Sequence, residues 1–107
     1  MKLEGKRFLV VGAGKSGIAA MELLKGQGYP VILYDGNGNL EEGELRKKSV
    51  WLQDAEIYLG SLPEEALKRC EIAVLSPGVP TDIPEVERMR RAGLAIWGEI
   101  ELGYAFE

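Results

Sequence analysis

Short apolar runs recur along the chain, each followed by a polar or glycine-rich break and then by residues with helical periodicity. Phe8 to Val11 is uninterrupted apolar sequence, the pattern of a strand buried on both faces of a parallel sheet. From Ser16 to about Lys25, Ile18, Met21 and Leu24 recur every third position, with the small residues Ala19 and Ala20 among them. This predicts a helix lying close on the sheet, stopped by Gly26 and Gly28. Val31 to Tyr34 predicts a second strand that ends on Asp35, before the flexible turn Gly36-Asn37-Gly38-Asn39. Within Leu40 to Leu52, Glu41, Glu42 and Glu44 precede Arg46, Lys47 and Lys48, an order that suits the two ends of a short helix, although Gly43 weakens it. Glu56 to Leu59, Ile72 to Leu75 and Ala95 to Trp97 predict three further strands. Between them lie two helical stretches: Leu62 to Arg69, with Pro63 near its start, and Pro84 to Ala92, with Asp82 as cap and Gly93 as stop. Gly98 to Phe106 opens a last helix.

Strands alternate with helices throughout, and nothing between the strands reads as a hairpin. The pattern therefore predicts an α/β fold: a Rossmann-like, doubly wound, five-stranded parallel sheet, order 3-2-1-4-5, with helices on both faces. With 107 residues, the whole chain, 1–107, makes one domain with one modest core.

Composition narrows the function classes. The single cysteine, Cys70, excludes an internal disulfide and suits a reducing cytoplasm. The lack of histidine removes the commonest general base and the commonest metal ligand. A net charge of −4 does not favour nucleic acid or an anionic membrane. No apolar run is long enough to cross a membrane, and the N-terminus lacks the pattern of a signal peptide.

The stretch FLVVGAGKSG, Phe8 to Gly17, carries the chemistry. Gly12, Gly14 and Gly17 match G-x-G-x-x-G where a strand hands over to a helix, a turn whose free N–H groups and helix dipole hold a phosphate or diphosphate. Gly14-Lys15-Ser16 imitates the end of a P-loop, but position 9 is Leu9, and only Ala13 separates Gly12 from Gly14. No loop is available to wrap a triphosphate, which excludes ATP at this turn. In the expected sheet, ligands sit beyond the strand ends where the strand order reverses. Three segments converge there: Gly14, Lys15, Ser16 and Gly17; Asp35, Gly36 and Asn37; and Ser76, Pro77 and Gly78. Asp35 offers an acceptor for a ribose hydroxyl or a base N–H, or is a solvated acid in a turn. Lys15 either neutralises a phosphate or is an exposed lysine at a helix start. Ser76 can donate to a phosphate or sugar, with Pro77 and Gly78 as a backbone wall.

Other features are expected to be structural. Glu99 and Glu101 do not face each other on a helix, Cys70 is a small boundary residue, and Trp51 and Trp97 are packing residues. No catalytic group and no metal site is assigned. The last helix has apolar residues on two sides, Ile100, Gly103 and Tyr104 against Leu102 and Phe106, and the sequence stops at Glu107 within that pattern. A piece of a longer protein, or an interface, is expected.

Taken together, GAGKSGIAA, Asp35, LSPGVP (Leu75 to Pro80) and GEIEL (Gly98 to Leu102) resemble the Mur ligases of peptidoglycan synthesis, from about Lys6 to Phe106. Among these, the resemblance is to the N-terminal domain of the members that join D-glutamate to UDP-N-acetylmuramoyl-L-alanine. It implies a cytoplasmic three-domain enzyme of cell-wall biogenesis, and hence of cell shape and division. Its first domain binds the UDP part of the substrate, a central domain binds ATP and Mg²⁺, and the last helps bind the amino acid. The reaction implied makes an acyl phosphate that the amine of D-glutamate attacks, and this chain would hold none of that chemistry and no cofactor of its own. Lys15, Ser16 and Gly17 would contact the diphosphate, Asp35 and Gly36 the uracil–ribose end, and Ser76 to Gly78 the same pocket. After the strand-2 acid the family often has a hydroxyl residue and then a basic one; here stand Gly36 and Asn37, so Asn37, or a basic side chain from Arg46 to Lys48, would substitute.

Two alternatives remain at this point: an NAD-binding Rossmann domain of a dehydrogenase or regulatory sensor, resting on the glycines and Asp35, and a non-catalytic interaction module, resting on the last helix.

Overall fold

The computed structural model describes residues 3–106. Five strands, β1 (Phe8–Val11), β2 (Val31–Asp35), β3 (Glu56–Leu59), β4 (Ile72–Leu75) and β5 (Ala95–Trp97), form one parallel sheet in the order 3-2-1-4-5. The central strand β1 is wholly apolar and buried on both faces, as its uninterrupted run requires. Odd and even residues feed two cores. Phe8 and Val10 of β1 join Leu33, Ile72 and Val74 on one face, beneath α1 (Lys15–Gly26), α2 (Glu42–Arg46) and α5 (Glu99–Ala105). Leu9 and Val11 join Ile32, Ala73 and Leu75 on the other, beneath α3 (Glu64–Lys68) and α4 (Pro84–Arg91).

Two local expectations change. The Leu40 to Leu52 stretch divides into α2 and a separate 3-10 turn at Val50–Leu52. Arg46 explains the break: its Nη1 donates to the carbonyls of Leu52 (2.7 Å), Gln53 (3.3 Å) and Ala55 (2.9 Å), folding the chain back around one guanidinium. Asp82 does not cap α4. Pro84 occupies the first helical turn, where its missing N–H costs nothing, and the clash of its ring with the preceding residue drives Ile83 into extended conformation, so Ile83 is the N-cap with no side-chain bond. Gly93 does terminate α4, at φ +92°.

The aromatic residues divide. Trp97 packs edge-on to Phe8 with centroids 5.8 Å apart, as a packing residue should, whereas Trp51 on the 3-10 turn is 40% exposed. On α5, Leu102 is buried, while Ile100 and Tyr104 are 70% and 72% exposed on the outer side.

Candidate functional site

Strand register brings the three expected segments to one level. Val11 of β1 pairs with Tyr34 of β2 and with Leu75 of β4, so the turns after these strands leave the sheet side by side. Backbone bonds then tie them together: Gly12 N–H donates to Tyr34 O (2.8 Å), and Ser76 N–H donates to Val11 O (3.0 Å). Asp35 adds a side-chain tie, its Oδ2 accepting from Ala13 N–H (2.8 Å) and its Oδ1 from Asn37 N–H (2.9 Å). The Asn37 Oδ1 in turn accepts from Asn39 N–H (3.0 Å). Asp35 therefore does work the sequence did not reveal: it staples the glycine turn to the β2 turn.

The three glycines of the turn are glycines for different reasons. Gly12 has φ +108°, and a Cβ there would lie 2.7 Å from Ser76 Oγ. A Cβ on Gly17 would lie 1.7 Å from the Gly12 carbonyl oxygen, so α1 can start this close to the turn only without one. Gly14 differs. It has φ −81° and ψ −168°, ordinary extended backbone, and a Cβ there would meet no protein atom within 4 Å. The protein's own packing makes no demand for glycine at 14.

Helix α1 presents an uncompensated N-terminus. Its first internal bond runs from Ile18 N–H to Gly14 O (3.0 Å), which leaves the preceding N–H groups of the first turn without helical acceptors. No side chain caps it, and it has no acid in its first turn, whereas α2, α3, α4 and α5 each have two. Lys15 and Ser16 stand exposed there, and Gly14 faces solvent. Gly36, Asn37, Pro77 and Gly78 are likewise exposed around the same opening. Ser76 behaves otherwise: its Oγ is buried against Gly12 and Gly17 and has no hydrogen-bond partner among the described residues. Of the basic residues from 46 to 48, Arg46 is committed to Glu42 and the three carbonyls and Lys47 to Glu44, while Lys48 is exposed. Among the described residues no three His, Cys, Asp or Glu side chains are grouped to hold a metal.

The sequence matches the model of the Mur ligase MurD-like N-terminal domain over residues 6–98. The chain belongs to that family. It is 46% identical over 106 residues to a UDP-N-acetylmuramoylalanine--D-glutamate ligase of Lachnoclostridium phytofermentans, covering 99% of this chain and 23% of the relative. It is 43% identical over 107 residues to the enzyme of the same description from Lachnospira eligens, covering all of this chain and 24% of that one. The chain thus spans about a quarter of the length of these relatives. Among solved structures, 3-hydroxyacyl-CoA dehydrogenase from Archaeoglobus fulgidus aligns with TM-score 0.59 and 21% identity, over 87% of this chain and 33% of that one. Shikimate dehydrogenase from Aquifex aeolicus aligns with TM-score 0.56 and 15% identity, over 94% of this chain and 45% of that one. These likenesses establish the Rossmann-like sheet and nothing of the ligand.

Proposed function

We propose that this chain is the substrate-docking domain of an ATP-dependent ligase that adds D-glutamate to UDP-N-acetylmuramoyl-L-alanine in the cytoplasm, and that it holds the UDP end of that substrate. The observation that carries the reading is Gly14. It is the N-cap of α1, its Cβ position is open to solvent, and it borders the bare helix N-terminus, so a ligand can press against the backbone there. The N–H groups of Lys15, Ser16 and Gly17 then face the diphosphate, the Lys15 ammonium offsets its charge, and the Ser16 hydroxyl adds a donor. Pro77 and Gly78 form the opposite wall. Asp35 shapes the uracil–ribose end by fixing the turn through Asn37, and its remaining lone pairs can accept from the ligand.

ATP and Mg²⁺ do not belong to this site. Only Ala13 separates Gly12 from Gly14, three residues fewer than a triphosphate loop has between its glycines. Activation of the substrate carboxylate and attack by D-glutamate are assigned to the remainder of the longer protein. Membership in the ligase family favours the uridine diphosphate reading over NAD, since the glycines and Asp35 suit either.

A thermal-shift series with uridine, UMP, UDP and UDP-N-acetylmuramoyl-L-alanine tests the reading. Stabilisation should appear with the diphosphates and be small with uridine, because the α1 cradle reads phosphate. Equal shifts with uridine and UDP would remove the diphosphate role from the glycine turn.

A further inference from the structure

Helix α5 presents apolar surface that this domain does not use. Leu102 is buried in the core, whereas Ile100 and Tyr104 are 70% and 72% exposed. They stand four positions apart, so they are neighbours on one face of the helix. A groove of about 380 Å³ opens beside Tyr104, lined also by Leu3, Trp97, Glu101 and Ala105. Large apolar side chains side by side, next to an apolar groove, mark an interaction surface rather than scattered surface residues. The helix around them is acidic only: Glu99 and Glu101 flank Ile100 in sequence, and α5 carries no cation. Glu101 accepts from Gly98 N–H (2.6 Å), while Glu99 is exposed and has no ion pair among the described residues.

We infer that this face of α5 is an intramolecular docking surface, covered in the longer ligase by a neighbouring domain that offers an apolar patch rimmed by lysine or arginine. Three observations select that occupant. The family model ends at residue 98 and α5 begins at Glu99, yet a relative matches this chain over its whole length, α5 included, and the chain covers only 24% of that relative. Helix α5 is therefore shared with the long ligases but lies past the segment that defines this domain. Size argues against a separate partner. A stable interface between free proteins takes roughly 800 Å² and about 20 residues a side, and α5 has seven residues in all. A tethered domain needs less, because the tether sets its effective concentration. Charge argues against a second copy, since two α5 helices face to face would set Glu99 and Glu101 against the same acids. The inference rests on the chain being one domain of the ligase, and not on its nucleotide site.

Serine tests the face cleanly, because its helix propensity matches those of isoleucine and tyrosine. In the 107-residue chain, Ile100→Ser combined with Tyr104→Ser should leave Tm within about 3 °C of wild type, since both side chains stand mostly in water. Sedimentation velocity should show the wild-type chain as a monomer. Hydrogen exchange across α5 should be about tenfold slower in the full-length ligase than in the 107-residue chain, and the double substitution should return it to the rate of the shorter chain. Where the doubly substituted ligase does not fold, Tyr104→Ser alone gives the same reading at smaller amplitude. Equal exchange of α5 in the two proteins, protection that survives the substitutions, or a dimer of the 107-residue chain that the substitutions dissociate would overturn the inference. Stabilisation by UDP should be the same with and without the substitutions. Protection of α5 in a protein that shows no response to UDP would fail the nucleotide reading and leave the docking surface standing.

Discussion

Replacing Gly17 with alanine tests the packing logic of the turn most severely. The added methyl carbon would sit 1.7 Å from the Gly12 carbonyl oxygen, about half a normal contact, and 3.1 Å from Ser76 Oγ. The nearest atom is backbone, so no side chain can swing away; the start of α1 or the turn must move. Overpacking costs about 1–3 kcal/mol, and so deep an overlap belongs at the upper end. Alanine in a helix returns about 1 kcal/mol relative to glycine. The net loss is about 2 kcal/mol, which lowers Tm by roughly 10 °C in a domain of this size. Gly14→Ala is the matched control. It meets no protein atom, and the entropy it removes from the unfolded chain, about 0.4–1 kcal/mol, offsets its poorer quality as an N-cap. Its Tm should stay near wild type, while its affinity for UDP falls about tenfold as the methyl meets the phosphate. Differential scanning calorimetry with a UDP titration reads both quantities. A wild-type Tm for Gly17→Ala would refute the account of close helix–strand approach, and an undiminished UDP affinity for Gly14→Ala would refute the ligand's claim on that position.

Three further outcomes are expected. Asp35→Ala should both destabilise the chain, by about 1–3 kcal/mol for the loss of charge-assisted bonds from Ala13 and Asn37, and weaken UDP; an unchanged denaturation midpoint would deny the staple. The Arg69 guanidinium, hydrogen-bonded to Glu56, holds that carboxyl down to about 2 against the opposing effect of partial burial, with Tyr58 O–H helping. A lowered pKa means stability that is present above about pH 4.5 and lost as pH falls toward 2, so the stability gap between wild type and Glu56→Gln should close over that window in urea titrations; a gap independent of pH contradicts it. Burial pushes the Cys70 thiol up to about 11, so the thiol should resist a disulfide-exchange reagent in the folded chain and react once urea unfolds it; rapid labelling of the native protein would show that the site opens.

Strand positions and their order were legible because the signal is local: each strand is a short apolar run, and alternation with helices leaves few topologies. The convergence of Gly14 to Gly17, Asp35 to Asn37 and Ser76 to Gly78 followed from that topology. What escaped depends on contacts between distant residues. Arg46 gathers carbonyls up to nine positions away, and nothing in the periodicity of Leu40 to Leu52 announces that. Asp35 reads as a ligand acceptor by position, and nothing local in the sequence shows that its two oxygens also accept from the amides of Ala13 and Asn37. Ser76 reads as a donor to ligand, yet its hydroxyl is turned inward against two glycines. Asp82 has the composition of a cap one residue too early, because Pro84 fixes where α4 begins.

The central claim is that the turn from Gly12 to Gly17 cradles a uridine diphosphate. Calorimetric titration of the chain with UDP and, separately, with NAD⁺ addresses it directly. Saturable one-to-one binding of UDP, with no heat from NAD⁺ under the same conditions, is the predicted result. Saturable binding of NAD⁺ with none of UDP would contradict the claim and return the turn to the dinucleotide fingerprint that its glycines also spell.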